Sequence, residues 1–168
     1  MNASTVDSRA KGFMEYLRRY TKDRGARAHL RGGLSPARRP NAWPLLGRFP
    51  GAIGNPAFEV VAGLWAAEPE LDRNGGNLGD AAAKIRANHS SFEGRFSRLL
   101  ACDRAELPAR VAPVVRAAQA RGIPIDYARL LSDLLRWNES VRTEWATSFW
   151  SVEEPDEVRP ELLDREEP

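Results

Sequence analysis

GIPIDYARLLSDLLRWNESVRTEWATSFW, residues 122–150, decides the fold class. Asp126 reads as a helix cap behind the turn at Gly122 to Pro124. From there Leu130, Leu134, Trp137, Val141, Trp145 and Phe149 return every three to four residues. That is the period of an α-helix with one apolar face. The pattern predicts one helix from Asp126 to about Trp150. Arg129 and Arg136, seven residues apart, fall on the opposite face with Asp133 between them, close enough to pair with either. Such pairing is an ordinary way to stabilise a surface helix, so both arginines are expected either in solvent or at a subunit contact.

The same period runs upstream. Residues 1–8 are small and polar and read as frayed. A first helix is expected from Ser8 to about Asp23, with Phe13, Met14, Leu17 and Tyr20 inward. Gly25 interrupts it, and a short basic helix continues to Arg31, where Gly32–Gly33 offers a left-handed stop. Ser35–Pro36 reads as another helix start, and prolines at 36, 40, 44 and 50 break the helix around Trp43, Leu45 and Leu46. Asn55–Pro56 opens a helix to Ala66, with Phe58, Val61, Ala62 and Trp65 inward. Residues 67–79, AEPELDRNGGNLG, read as a loop and a candidate mobile excursion. Asp80 caps an alanine-rich helix. Phe92, Phe96, Leu99 and Leu100 line the next one. Val111, Val114, Val115 and Ala118 line a helix from about Pro108 to Arg121, bent at Pro113 and closed by Gly122.

No segment alternates like a strand. The expectation is therefore an all-α helical bundle of about seven to nine helices. Its parts are an N-terminal helical part over 1–66, a loop over 67–79, a C-terminal helical bundle over 80–150 and an acidic tail over 151–168 that reads as disordered.

Charge separates along the chain. Residues 1–150 hold 23 basic and 15 acidic residues, whereas residues 151–168 hold eight acids and two arginines. The body is thus +8 and the tail −6. The tail reads as solubilising, or as a segment that folds back and competes with an anionic partner. Only Lys11, Lys22 and Lys84 are lysines; the other 22 basic residues are arginines. Arginine's planar fork suits phosphate and carboxylate, although a GC-rich coding sequence enriches arginine as well.

Little in the sequence points to catalysis. His29 and His89 are the only histidines and Cys102 the only thiol. His29 reads as part of a basic helix surface, His89 as a helix-terminal residue and Cys102 as a small buried hydrophobe. No HExxH, CxxC, Walker A or GxGxxG pattern occurs. Asp126 and Asp133 share a helix face, but Asp126 is better used as a cap than as a metal ligand. The expectation is no enzyme, no cofactor, no metal and no small-molecule substrate. The start, MNASTVDSRAKGF, lacks a secretion-signal pattern and no apolar run reaches membrane length, so the expected location is cytoplasmic.

Three blocks carry a resemblance: GARAHLRGG at 25–33, RFSRLLACDRAEL at 95–107, and the stretch at 122–150. Together they resemble the Cse2/CasB family, small subunits of the type I-E CRISPR Cascade complex, over most of residues 10–150. The resemblance implies a non-catalytic scaffold. It further implies two copies packed head to tail beside the backbone and large subunits. On this resemblance they are expected to stabilise the hybrid of CRISPR RNA and target DNA and the displaced single-stranded DNA. Base pairing supplies sequence specificity while the protein meets shape and phosphate charge.

By the same resemblance, Arg27 and Arg31 match basic positions of the first block, with Gly32 where a second arginine is common. Arg95 and Arg98 match the second block, and Arg142 the third. Thr143 and Thr147 stand where the third block is often basic, and Trp137, Trp145 and Phe149 match its core positions. The candidate nucleic-acid-binding set is Arg27, Arg31, Arg38, Arg39, Arg95, Arg98, Arg116, Arg121 and Arg142, expected to form one or two continuous stripes. The alternatives are a protein–protein adaptor whose arginines meet acidic partner surfaces, and an unrelated helical transcription regulator.

Overall fold

The computed structural model of the protein describes residues 2–151. Among them lie nine α-helices and no strand beyond one isolated bridge. The acidic tail past residue 151, and its expected disorder, fall outside the described residues.

Helix α1 spans Ala3–Arg18 and starts earlier than expected, because Asn2 accepts a hydrogen bond from the Thr5 N–H and so caps it. Val6 and Ala10 then bury on the same side as Phe13, Met14 and Leu17. The helix ends at Arg18, not near Asp23, since Asp23 is used to cap the next helix, α2, Arg24–Arg31. Gly25 therefore lies inside the first turn of α2 rather than interrupting a helix.

Gly32 does not stop α2 by a left-handed turn: its φ is −55° and it opens a short 3-10 turn, Gly32–Leu34. Glycine is needed there for close approach instead. A Cβ on Gly32 would stand 2.6 Å from the Arg38 carbonyl oxygen, and one on Gly33 2.7 Å from that of Glu59. Ser35–Pro36 does not open a helix either. Helix α3, Arg39–Leu46, begins three residues later, with Pro40 in its first turn, where a missing N–H costs nothing, and Pro44 inside it.

Helix α4, Pro56–Ala67, is capped by Asn55 as its sequence predicts. It is buried on every side from Phe58 to Ala66, the behaviour of a central helix. It packs against α2 and, further along the chain, against α7, Leu107–Ala120, and α8, Tyr127–Leu135. Within the stretch read as a loop over 67–79, Ala67 ends α4, Leu78 opens α5, and Leu71 to Arg73 are anchored to distant residues. The Ile125 N–H donates to Leu71 and the Arg73 N–H donates back to Ile125, at 2.9 and 3.1 Å. The Arg18 guanidinium holds Asp72 at 2.9 Å.

Helix α5, Leu78–Arg86, is capped by Asn77, not Asp80; Asp80 is the reciprocal partner that accepts a bond from the Asn77 N–H. Helix α6 spans Phe92–Ala101 and α9 spans Glu139–Trp150. The two run antiparallel, Cys102 lying by Trp137 and Arg142 while Phe96 and Glu93 lie by Phe149 and Trp150. The single long helix expected from 126 is two. Asn138 turns its side chain onto the Val141 N–H and restarts the helix. Trp137, at the break, donates its indole N–H to the Cys102 carbonyl. Gly122 takes φ +67° after α7, as expected of a C-terminal glycine.

One contiguous core joins these helices from Ala10 to Phe149. All three tyrosine phenols are displaced from their ordinary pKa. Tyr16, half-buried, donates to the Leu45 carbonyl at 2.6 Å, and burial, then the neighbouring Tyr20, push its pKa up to about 12. Burial pushes that of Tyr127 higher too. The hydrogen bond with Tyr16, aided by Arg48, lowers that of Tyr20. The chain has three tyrosines. A phenolate-absorbance titration is therefore expected to show one group ionising below the ordinary value of 10.0 and two well above it. Tyr16→Phe should remove the step near 12. Because the raised groups hold their protons more tightly when folded, their stabilisation is present below pH 10.0 and lost as pH rises through about 12.

Candidate nucleic-acid interface

The nine candidate arginines divide by what their guanidinium groups touch. Three are tied into the fold. Arg27 donates from Nε to the Ala66 carbonyl at 2.9 Å, closing the end of α4 onto α2. Arg39 grips the buried carboxylate of Glu59 through Nε and a terminal nitrogen, at 2.6 and 3.2 Å. Arg142 donates to the Cys102 carbonyl at 3.0 Å and lies 5.1 Å over the Trp137 ring.

The other six stand in solvent. Arg31, Arg38, Arg98 and Arg116 make no side-chain hydrogen bond or ion pair among the described residues. Arg95 lies 5.9 Å over the Phe92 ring, and Arg121 donates to the Ala117 carbonyl one turn back on its own helix. Two groups emerge. Arg31 and Arg38 flank the 3-10 turn after α2, and Arg39 and Arg116 line one groove of about 490 Å³ with Gly33, Leu34 and Pro36. Arg95 and Arg98 share α6, three residues apart.

Arg129 and Arg136 behave differently from the surface pair expected. Asp133 between them is fully buried. The Trp145 indole donates to it at 2.8 Å, and Arg129 and Arg136 approach it at 3.3 and 3.5 Å. Burial pushes the carboxyl above its ordinary range, against the pull of those donors. Ser132 donates to Asp7, which also meets Arg136 at 3.6 Å, so the network ties α1, α8 and α9 together. The apolar residues on both sides of Asp133 were the readable signal: Leu130, Leu131 and Leu134 leave Ser132 and Asp133 no exposed face. Arg104, outside the candidate set, approaches the carbonyls of Leu134, Leu135 and Trp137 at 3.3–3.4 Å and closes the C-terminus of α8.

The remaining chemistry-bearing groups are scattered. His29 and His89 are exposed. Cys102 is buried, and desolvation raises its thiol pKa, which disfavours a thiolate nucleophile. Among the described residues no three of His, Cys, Asp or Glu cluster as metal ligands, and no helix is long and apolar enough to cross a membrane. Trp65, Trp137 and Trp145 are core residues, whereas Trp43 and Trp150 are 36% and 41% exposed.

Comparison with known proteins places this geometry among relatives. The family model of CRISPR-associated protein Cse2 matches residues 26–150. A CRISPR-associated protein Cse2 of Thermus thermophilus is 30% identical over 154 residues, covering 83% of this chain and 89% of its own. The crystal structure of a Cse2-family protein from Thermus thermophilus superposes with a TM-score of 0.74 at 30% identity, over 85% of this chain and 98% of the other. That of M. ruber CasB gives 0.68 at 30% identity, over 84% and 92%.

Proposed function

The chain belongs to the CRISPR-associated Cse2 family, and on that premise we propose that it is a non-catalytic scaffold subunit of a Cascade surveillance complex. In this reading it stabilises the guide RNA–target DNA hybrid and the displaced strand through phosphate contacts. The observation that carries the reading is the set of solvent-facing arginines, Arg31, Arg38, Arg95, Arg98 and Arg116, which make no ion pair among the described residues. Guanidinium groups left unmatched on a +8 body suit the diffuse negative charge of nucleic acid. They read no sequence, which is the task left when a guide supplies base pairing.

A second reading, an adaptor that meets other subunits or a second copy of itself, has its own support. Ile53 is 48% exposed and packs beside Gly47, just past the helix that carries exposed Trp43, an apolar pair on the surface.

The full-length protein titrated with labelled single-stranded DNA, single-stranded RNA and duplex across a salt series tests the proposal. Binding is expected to be sequence-blind and to weaken with salt, each phosphate contact contributing about 0.7 to the log–log slope on a single strand. Changing Arg31, Arg38, Arg95, Arg98 and Arg116 together to alanine should cut that slope by up to about 3.5 if each meets one phosphate. Arg27→Ala and Arg142→Ala should behave as the opposite class. They lose internal bonds to buried carbonyls and are expected to cost about 1–2 kcal/mol in urea unfolding, with the slope changed less per residue. Absence of binding even at low salt would favour the adaptor.

A further inference from the structure

The last described residues leave the fold at one end of α6. Trp150 packs on Phe149 and Phe96, and its indole N–H reaches Glu93 at 3.3 Å. Since α6 and α9 are antiparallel, the surface of α6 leads from that exit, past Arg95 and Arg98, to the turn at 102–106 and the start of α7. There the first turns of α4 and α7 enclose an open apolar groove of about 380 Å³. Pro56, Ala57, Ala105, Leu107, Pro108 and Leu134 line it, with Arg104 at its rim. A second groove, sharing Pro56, Ala105 and Pro108, continues it to Arg116.

The segment beyond the exit, VEEPDEVRPELLDREEP at 152–168, has a matching order of chemistry. Four carboxylates come first, at 153, 154, 156 and 157. One leucine pair comes after them, Leu162–Leu163, bracketed by Glu161 and Asp164. We propose that this acidic segment docks in cis on its own body. Its early carboxylates face Arg95 and Arg98, Leu162–Leu163 sit in the apolar groove, and the flanking acids meet Arg104 and Arg116.

Reach, burial and charge each support this occupant. Eleven residues from 152 to 162 span about 36 Å extended, whereas the ten-residue α6 is about 15 Å long. The groove offers proline and alanine side chains over buried Leu107 and Leu134 to the only adjacent apolar pair of the segment. Arg95, Arg98, Arg104, Arg110 and Arg116 along the path outnumber Glu93, Asp103 and Glu106, so a segment of charge −6 is attracted. Its own Arg159 can in turn meet Asp103 or Glu106. The docked segment covers arginines that the proposed function assigns to phosphates. It therefore competes with nucleic acid, and this part of the inference rests on that reading.

The test uses the full chain with a nitroxide on Pro160→Cys, in a Cys102→Ala background, and amide NMR. Broadening is expected at Ala57, Ala105, Leu107 and Ala109, independent of protein concentration, and should vanish with Leu162→Asn/Leu163→Asn, which keeps the segment's charge. No broadening there overturns docking. Broadening of an unlabelled, isotope-enriched chain mixed with the labelled one would assign the segment to a second copy and overturn docking in cis. The competition has a separate readout. If the segment is docked about nine-tenths of the time, the double asparagine variant should bind a single-stranded oligonucleotide about tenfold tighter than the parent at low salt. Equal affinities overturn the competition. Absence of binding by both proteins overturns the phosphate reading instead, and the nitroxide result still decides docking.

Discussion

Asp133→Ala is expected to lower the unfolding free energy by about 3 kcal/mol, the low end of the range for breaking a buried ion pair. The carboxylate is fully buried and holds the Trp145 indole N–H at 2.8 Å. Removing it orphans that buried donor, which alone costs about 1–3 kcal/mol, and leaves a void under α9. The arginines contribute less, because the Arg129 and Arg136 side chains are 39% and 28% exposed and can turn back to water. Asp133→Asn keeps the volume and one acceptor for the indole, so its loss should be about half as large at neutral pH. The pH dependence has a defined sign. Burial raises the folded pKa above 3.8, so the proton is held more tightly in the folded state. That stabilisation is present below 3.8 and lost as pH rises through the folded value. Urea unfolding across pH should therefore show the asparagine variant's deficit shrinking from acid to neutral pH. A deficit that grows instead would mean that the indole and the two guanidinium groups outweigh desolvation.

The other large effect is a reversal of a common rule. Glycine to alanine inside a helix normally stabilises by about 1 kcal/mol. Gly79→Ala is expected to destabilise by about 3 kcal/mol, the upper end for overpacking. A Cβ on Gly79 would stand 2.9 Å from the Trp145 carbonyl carbon and nearer still to its oxygen. Backbone cannot rotate away as a side chain can, so α5 and α9 would have to separate along their contact. Gly94, in α6, has nothing within 4 Å of the same position, and Gly94→Ala should give the ordinary gain of about 0.5–1 kcal/mol. Paired unfolding curves check both. A gain at both positions would mean that the two helices already sit further apart.

Periodicity was enough for the helices, their inward faces and the all-α class, because each helix buries one stripe or, in α4, every face. It could not show where two helices share one uninterrupted pattern. Trp137 and Val141 keep the apolar period across Asn138, and only the asparagine's cap reveals the break. Caps were legible where a single acceptor stood before an apolar run, as at Asn55 and Asp126. They were misread where two competed, as at Asn77 and Asp80. Close approach was invisible at Gly32 and Gly33, since it depends on how the turn brings back the Arg38 carbonyl and how α4 packs the Glu59 carbonyl against them. The arginines show the same limit. Spacing places a guanidinium on a face, but whether it meets water, as at Arg98, or a distant carbonyl, as at Arg27, depends on long-range packing.

Helix α1 carries a consequence for synthesis. It packs chiefly on α8, and Asp7 meets Ser132 and Arg136, more than a hundred residues later in the chain. The first helix to leave a ribosome thus waits for nearly the last one before the side that faces α8 is covered. Phe13 can meet Phe49 and Phe58 once α4 has emerged, but the side of α1 that faces α8 stays open to chaperones and to neighbouring nascent chains until α8 follows. Closing so long a loop also makes this junction a slow contact of folding. Strains short of holdase capacity should lose this protein to aggregation before α8 closes over α1, ahead of any damage to mature copies.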